Sequence, residues 1–230
     1  MDASVETAGP ETGRPENREY LRYWTLLYRR DVAGATRIVE RCLREWTPQR
    51  IYLRLFEPAL NLSGTFWAEG RIRYQDEHFI TWHTLRLMRR VRREFILPDP
   101  SGPLALATGV GQESHVIGLR MACDFLQSVN WRIRFLPSND RATVRDAAVA
   151  LKPNAFLFSI GLDRGLEPAR RLIAELRRQR YAGLVVVGGA AINQDVSVVP
   201  KIGADLTALN GMHLIRRLRA RMPEWVRSAG

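Results

Sequence analysis

Residues 104–119, LALATGVGQESHVIGL, decide the fold. An apolar run over 104–108 leads into a loop that contains two glycines, and helix-forming residues begin at about 116, which is the order of a strand, a turn and a helix. Further apolar runs of strand length, separated by segments of helix length, occur at 131–136, 155–159, 184–187 and 205–209. This alternation predicts an α/β domain, Rossmann-like, built on a five-stranded parallel sheet.

The helices of this domain are predicted at about 116–129, 141–151, 167–180, 192–202 and 212–221. A flavodoxin-like strand order, 2-1-3-4-5, places the first, third and fourth strands side by side. Ligands of open α/β sheets bind at the carboxyl ends of the strands. The loops after these three strands are therefore predicted to form one rim.

The sequence before Leu97 has a different pattern. Apolar residues recur at helical spacing, and Asp31 and Thr47-Pro48 are helix-start signals. The spacing predicts helices that begin near Glu19, Asp31, Thr47 and Tyr74, the third bent near Pro58 and the fourth ending near Phe95. We expect a flexible leader over 1–18, a four-helix bundle cap over 19–97, and the α/β domain over 103–230, after a break rich in proline.

Composition excludes several classes of protein. Cys42 and Cys123 stand far apart, so neither a disulfide framework nor a cysteine-based zinc site is expected. No apolar run approaches the roughly 18 residues of a membrane span, and a cytoplasmic protein without a membrane partner is predicted. Lys and Arg number 35 against 24 Asp and Glu, a net charge of +11 that favours acidic partners.

His115 is the strongest candidate ligand of the rim. It follows Glu113 by two residues, and a neutral imidazole suits a transition metal while a carboxylate can hold its other N–H. The alternative is a surface histidine at a helix start. Ser159 either binds a ligand or merely ends its strand, and Gly188-Gly189 allows close backbone approach but is also ordinary turn chemistry.

Together these segments resemble the ligand signature of cobalamin-binding Rossmann-like domains. The resemblance implies cobalamin bound base-off, as adenosylcobalamin or hydroxocobalamin, with His115 as the lower axial cobalt ligand. It also implies that the serine and paired glycines surround the nucleotide tail. The implied cofactor-binding residues of this domain are Glu113, Ser114, His115, Val116, Gly118, Ser159, Ile160, Gly161, Gly188 and Gly189. Glu113 replaces the usual aspartate, as in the photoreceptor branch, and Gly161 replaces a usual leucine.

The cap carries a second motif, Trp67 followed after nine residues by Glu77-His78. It resembles the motif of light-sensing cobalamin regulators of the CarH and AerR/PpaA types, which implies that these three residues contact the upper side of the cofactor. The alternative is a core tryptophan with an exposed Glu-His pair. Ala68 stands where CarH-like proteins have an upper-ligand histidine, so His78, His83 or water would take that role here.

A stand-alone cap and cobalamin domain, with no winged helix expected before it, is similar to AerR/PpaA. The resemblance implies an antirepressor, not an enzyme, that acts on a CrtJ/PpsR-type repressor of photosynthesis genes. Two sets of arginines are candidates for direct DNA contact, although each is equally readable as a solvated face: Arg86, Arg89, Arg90 and Arg93, and Arg216, Arg217, Arg219 and Arg221.

Two other functions share this architecture. The first is a corrinoid carrier protein of a methyltransferase system, which needs neither the cap motif nor the basic charge. The second is a heme-binding relative in which His115 would ligate iron. The sequence contains no Gly-x-Ser-x-Gly motif and no P-loop lysine that would indicate another kind of active site.

Overall fold

The structure, a computed structural model, describes residues 16–94, 102–111, 116–136 and 139–222. The chain divides into two compact units, residues 1–94 and 95–230, and each is described by itself. No helix within the described ranges is both long and apolar enough to cross a membrane.

The described part of the first unit consists of four helices, one of which contains a π turn. In chain order the elements are α1 (Glu16–Tyr28), α2 (Val32–Glu45), α3 (Pro48–Ile51), the π turn (Tyr52–Phe56), α4 (Glu57–Ala68) and α5 (Tyr74–Arg92). Asp31 and Thr47 cap the helices that the sequence predicts to begin there. Asp31 accepts a hydrogen bond from the backbone N–H of Gly34 at 2.7 Å, and Thr47 caps the turn that Pro48 begins.

The third helix is continuous from α3 to α4, and its irregularity lies before Pro58. The backbone N–H of Glu57 donates to the carbonyl of Tyr52, five residues back, which defines the π turn. Proline has no N–H with which to continue the α-helical hydrogen-bond pattern, so the backbone widens just ahead of it. Gly70 (φ +69°) follows α4, in the left-handed conformation that ends many helices.

Aromatic residues that also make polar contacts fill the interior of the bundle. Tyr23 is fully buried and shares a 2.9 Å hydrogen bond with the hydroxyl of Thr84. Trp24 is buried as well, and its indole N–H donates to Ser63 Oγ at 2.8 Å. These bonds tie α1 to α5 and α4 because buried polar groups without partners would destabilise the bundle.

The second unit is a parallel sheet with the strand order β2-β1-β3-β4-β5, as the sequence predicts. Its elements are β1 (Leu104–Gly109), α6 (Ile117–Gln127), β2 (Arg132–Phe135), α7 (Arg141–Leu151), β3 (Ala155–Ser159), a 3₁₀ turn (Asp163–Gly165), α8 (Leu166–Arg178), β4 (Leu184–Gly188), α9 (Ala190–Gln194), α10 (Val198–Lys201), β5 (Leu206–Thr207) and α11 (Gly211–Arg221). Strands β1, β3 and β4 are almost wholly buried, which explains their continuous apolar runs.

Several predicted boundaries were wrong. Helix α1 begins at Glu16, inside the predicted leader, of which residues 1–15 lie outside the described ranges. Helix α5 ends at Arg92, and β5 has two residues because only these pair with β4. The helix predicted over 192–202 is two short helices, α9 and α10. Asp195 between them has an extended backbone, and its side chain accepts a hydrogen bond from the N–H of Ser197, just before α10 begins.

Candidate functional site

The carboxyl ends of three adjacent strands meet in register. Ser159, the last residue of β3, pairs with Gly109 on one side and Gly188 on the other. The backbone N–H of Val110 donates to Ser159 O at 2.9 Å, and that of Ile160 donates to Gly188 O at 2.8 Å. The three loops therefore leave the sheet at the same level, as a single rim.

Ser159, Ile160 and Gly161, at the end of β3, differ in how far they are buried. The Ser159 side chain is buried, and within the described residues no group hydrogen-bonds its hydroxyl. The side chain of Ile160 is fully buried in the hydrophobic core, and its backbone N–H and carbonyl are bonded to Gly188 and Ala191. Gly161 is half-buried at the start of the loop.

Gly189 is a position that no other residue can occupy without strain. Its φ is +108°, and a Cβ built there would lie 2.5 Å from the carbonyl oxygen of Ile160 and 2.8 Å from its nitrogen. Directly before it, Gly188 is under no such restriction, because a Cβ there would make only an ordinary contact, with Ala208 O at 3.7 Å. The two glycines therefore differ: Gly189 is required for the two loops to touch, whereas a small side chain would fit at Gly188.

The central part of the predicted motif, Glu113, Ser114 and His115, lies outside the described residues. Val116, the residue after it, is half-buried and precedes the first turn of α6. Gly118 is exposed within that turn, and a Cβ there would meet nothing within 4 Å. Among the residues that the structure does describe, no three His, Cys, Asp or Glu side chains are grouped so that they could hold a metal ion.

Two residues at this end of the sheet escaped the sequence analysis. Thr207, the last residue of β5, has a buried hydroxyl oxygen without a hydrogen-bond partner. Asn139, in the connection after β2, donates from Nδ2 to the carbonyls of Gly109 and Gly111. The sequence signal for both is positional, since Asn139 follows β2 and Thr207 ends β5 at the same edge of the sheet, whereas the predicted rim contains only the loops after the first, third and fourth strands.

In the first unit the cap motif forms a chain of exposed rings around the Gly70 turn. Trp67 is 46% exposed, and its ring centroid lies 6.5 Å from that of Tyr74, which is 57% exposed. The Tyr74 ring is in turn 3.7 Å from the imidazole of His78. Trp67 is therefore not the core tryptophan that the alternative reading required.

Glu77 and His78 interact directly. Nδ1 of His78 lies 2.7 Å from Oε2 of Glu77, and the hydroxyl of Thr81 donates to Oε1 of the same buried carboxylate at 2.7 Å. Both oxygens of Glu77 are thus engaged. A carboxylate in this position keeps the proton of a neutral imidazole on Nδ1 and orients the ring.

The other candidates for an upper ligand differ in setting. His83 packs between the rings of Phe79, at 4.2 Å, and Trp82, at 4.7 Å. Burial first, and then the charges of Arg86 and Arg30, hold the pKa of His83 below its ordinary value, so its imidazole is neutral at pH 7. Ala68 is exposed and has no ligating group.

The two arginine sets are not equivalent. In α5, Arg90 donates to the carboxylates of Glu40 and Glu94, and Arg86 lies 4.8 Å over the ring of Trp82. In α11, all four arginines are exposed, and no described residue forms an ion pair with any of them: Arg216, Arg217, Arg219 and Arg221. The uncompensated positive charge is therefore concentrated more on α11 than on α5.

Comparison with known proteins assigns a family to both units. Residues 103–217 match the B12 binding domain family, and residues 21–92 match a second family that is also described as a B12 binding domain. The chain belongs to the B12 binding domain family. The fold and the cofactor predicted from the sequence, a Rossmann-like domain after a helical part and cobalamin, are confirmed.

One solved structure shows the same fold. A monomethylamine corrinoid protein of Methanosarcina barkeri superposes with a TM-score of 0.78 at 16% identity, over 89% of this B12 binding protein and 99% of that chain. A cobalamin-binding protein from Desulfitobacterium hafniense DCB-2 matches over 90% of this chain and 98% of its own, at 15% identity and a TM-score of 0.48. A search of curated proteins gave no significant match.

The described part of the rim carries groups that suit the nucleotide tail which the resemblance assigns to it. Gly188 and Gly189 present no side chain there, and a Cβ on Gly188 would make only an ordinary contact, 3.7 Å from Ala208 O. The buried hydroxyl oxygen of Thr207, at the end of β5, has no hydrogen-bond partner among the described residues. Such a hydroxyl can serve a ligand with phosphate, ribose and ring nitrogen acceptors.

Proposed function

We propose that this B12 binding protein is a cytoplasmic, light-responsive transcriptional regulator, an antirepressor that acts on a CrtJ/PpsR-type repressor and catalyses no reaction. The exposed ring chain of Trp67, Tyr74 and His78 is the observation that carries the proposal. Trp67 and His78 are positions of the motif that resembles that of the light-sensing cobalamin regulators, and Tyr74 lies between them in the chain. Large exposed aromatic clusters mark binding surfaces on soluble proteins.

The contrast with Trp24 supports a binding role for this cluster. Trp24 is buried and its indole N–H is bonded to Ser63, so it serves the bundle core. Trp67 has no such anchoring and is almost half exposed, which leaves its indole face available for a planar or apolar ligand group. The carboxylate of Glu77 gives His78 a defined orientation beside it.

In the α/β unit we assign His115 to the lower side of the cobalt and the rim to the nucleotide tail. Ser159, Gly188 and Gly189 would hold the tail together with Thr207. Cobalamin supplies a cobalt–carbon bond that light can break. The protein's part is to bind the cofactor, orient it and report its state to a partner.

The partner surface that we propose is the arginine face of α11. No described residue forms an ion pair with its four arginines, whereas Arg90 in α5 is bonded to two carboxylates. An acidic surface of the repressor, or the DNA beside it, would complement this charge. Binding to DNA phosphates would weaken with salt by a logarithmic slope of about −0.9 per phosphate neutralised, which a protein–protein contact of few charges would not match.

The decisive experiment compares the dark and illuminated states. The full chain is purified with adenosylcobalamin, and its absorption spectrum and its affinity for an immobilised CrtJ/PpsR-type repressor are measured before and after illumination. We expect both to change in the wild type, and the light-induced spectral change to be altered in Trp67→Ala but not in Trp82→Ala. A spectrum equal to that of free adenosylcobalamin, or an affinity indifferent to light, would reject the proposal.

A corrinoid carrier of a methyltransferase system is the second candidate. It is favoured by the similarity to the monomethylamine corrinoid protein, which extends over nearly the whole of both chains. A methyl-transfer assay with corrinoid methyltransferases tests it. Transfer of a methyl group to or from the bound cofactor at a turnover above that of free cobalamin would favour the carrier over the regulator.

A further inference from the structure

The side chain of Asn139 is hydrogen-bonded to the backbone at the end of β1 and just after it. Its Nδ2 donates to the carbonyl oxygen of Gly109 at 2.8 Å and to that of Gly111 at 2.7 Å. Asn139 is half-buried, and its own position is set by the residue after it. Asp140 caps α7, accepting from the backbone N–H of Thr143 at 2.9 Å and from its hydroxyl at 2.6 Å. The start of α7 thus holds the carboxamide in place.

The segment that Asn139 contacts, Gly109–Gly111, is also hydrogen-bonded to β3. The N–H of Val110, between the two gripped glycines, donates to Ser159 O at 2.9 Å. Gly111 has a φ of +72°, so the chain turns there in a conformation that favours glycine. The three hydrogen bonds fix the backbone from Gly109 to Gly111 before the chain continues towards His115, four residues further on.

Only a carboxamide of this length makes both contacts. The two hydrogens on one nitrogen meet two carbonyl oxygens, which also identifies the atom facing them as Nδ2. An aspartate would place a carboxylate against the same two oxygens and donate nothing. A serine could donate once, and an alanine not at all.

We propose that Asn139 is a positioning residue for cobalamin: by bridging Gly109 and Gly111 it fixes the backbone that precedes His115 in the sequence. The inference rests on the proposed role of His115 as lower axial ligand. Residues that orient a metal ligand without touching the metal commonly change metal affinity by about 10- to 100-fold when replaced. We expect a loss in that range for Asn139→Asp.

Asn154 provides a matched control. Its Oδ1 accepts the backbone N–H of Leu104 at 2.9 Å, at the opposite end of the same strand. Asn154→Ala therefore removes one carboxamide contact with β1, as Asn139→Ala does, but at the end away from the rim. If the contacts stabilise the fold, both substitutions lower the melting temperature. If the proposal is right, only the substitution at Asn139 also changes cobalamin affinity and the coordination of the cobalt by histidine.

The test uses the full chain loaded with adenosylcobalamin. The dissociation constant is measured by absorption titration for the wild type, for the Asn139 variants Ala, Ser and Asp, and for Asn154→Ala and His115→Ala. The cobalt(II) form is then examined by electron paramagnetic resonance after labelling with ¹⁵N-histidine. A histidine nitrogen bound to cobalt changes the splitting from three lines to two on labelling, which distinguishes it from a nitrogen of the cofactor.

The outcomes separate the two claims. We expect the labelled-histidine splitting to vanish in His115→Ala, to weaken or become heterogeneous in Asn139→Asp and Asn139→Ala, to be partly retained in Asn139→Ser, and to be intact in Asn154→Ala. Wild-type affinity and splitting in Asn139→Asp, with loss in His115→Ala, would overturn the role of Asn139 alone. Splitting that persists in His115→Ala would overturn the axial assignment and the inference with it.

Discussion

The backbone of Gly189 touches that of Ile160 so closely that a Cβ on Gly189 would lie 2.5 Å from the Ile160 carbonyl oxygen. Real Cβ atoms essentially never approach an atom so closely. The same contact is used by the chain itself, because the N–H of Ala191 donates to Ile160 O at 3.2 Å. Two neighbouring loops of the rim are thereby held together.

Gly189→Ala should disrupt the rim. The added methyl group meets backbone rather than a flexible side chain, and φ is in the left-handed region, so we expect a loss of roughly 1–3 kcal/mol in the free energy of unfolding. Cobalamin affinity should fall as well, because the two loops must separate. Denaturant titration of the protein without cofactor and absorption titration with cobalamin measure the two effects.

Gly188→Ala is the natural comparison for that variant. Its Cβ would lie 3.7 Å from Ala208 O, an ordinary contact, so stability should stay within about 0.5 kcal/mol of the wild type. If the nucleotide tail lies beside Gly188, the methyl group enters that space and weakens cobalamin binding without weakening the fold. Equal stability and equal affinity in Gly188→Ala would show that the tail lies elsewhere.

Thr207→Val tests the buried hydroxyl of β5. Valine has nearly the shape of threonine, and the hydroxyl oxygen has no partner among the residues that the structure describes, so the stability of the protein without cofactor should be unchanged or slightly higher. Cobalamin affinity should fall by the contribution of one hydrogen bond, about 0.5–1.5 kcal/mol or a factor of about 2 to 13.

Cobinamide, which lacks the nucleotide tail, supplies the control for Thr207. Isothermal titration with both ligands separates contacts to the tail from contacts to the corrin ring. The affinity for cobinamide should be the same in wild type and Thr207→Val. An equal loss for both ligands would mean that Thr207 does not contact the tail.

The sheet was predictable because its central strands are buried on both sides and therefore read as unbroken apolar runs, such as Leu184–Val187. The predicted boundaries of helices and strands were wrong where a side-chain hydrogen bond or strand pairing outweighs the intrinsic helix or strand propensity of the segment. Asp195 interrupts the helix that its neighbours favour by accepting from Ser197, and β5 is short because it is paired with β4 over two residues. The π turn before Pro58 depends on how the third helix packs, which a proline alone does not reveal.

The conformation of the rim was predictable where glycine is required, and the polar contacts made through the fold were not. Gly188-Gly189 is ordinary turn chemistry when taken alone, and it was singled out because it follows one of the three strands whose loops were predicted to form the rim. Thr207 is an ordinary strand residue in the sequence, and its importance comes from the absence of a partner for its hydroxyl in three dimensions. Asn139 meets Gly109 across thirty residues, a contact that only the parallel register creates.

Trp67→Ala should separate stability from cofactor binding in the cap. The side chain is almost half exposed, so the free energy of unfolding should change by no more than about 0.5 kcal/mol. Trp24→Ala, by contrast, opens a cavity and leaves Ser63 without its donor, with an expected loss of about 3–5 kcal/mol. Chemical denaturation followed by far-ultraviolet circular dichroism measures both.

The effect of Trp67→Ala on the bound cofactor is measured by absorption spectroscopy. Trp67→Ala should shift the absorption of bound adenosylcobalamin if its ring packs on the cofactor, whereas Trp82→Ala, which removes a comparably exposed ring, should not. A spectrum identical in all three proteins would place Trp67 outside the cofactor site.

Asp76 should make the stability of the cap depend on acid pH. Its buried carboxylate accepts from the backbone N–H and from Nε of Arg73, and it pairs with Arg30 at 2.6 Å. The side-chain hydrogen bond from Arg73 is the main cause that holds the pKa of Asp76 below its ordinary 3.8. Because the folded pKa is lowered, the stabilisation is complete above the ordinary value and is lost as the pH falls through the folded one.

Asp76→Ala should therefore cost roughly 1–3 kcal/mol at pH 7, since it removes the cap of α5 and leaves two arginines without their partner. The difference from wild type should shrink as the pH falls below 3.8, because the wild-type carboxyl is then protonated and its ion pairs are lost. Denaturant titrations at pH 7, 4 and 2.5 measure this, with Asp146→Ala, an exposed carboxylate paired with Arg145, as the control. A difference that stays constant down to pH 2.5 would show that Asp76 stabilises α5 by packing rather than by its charge.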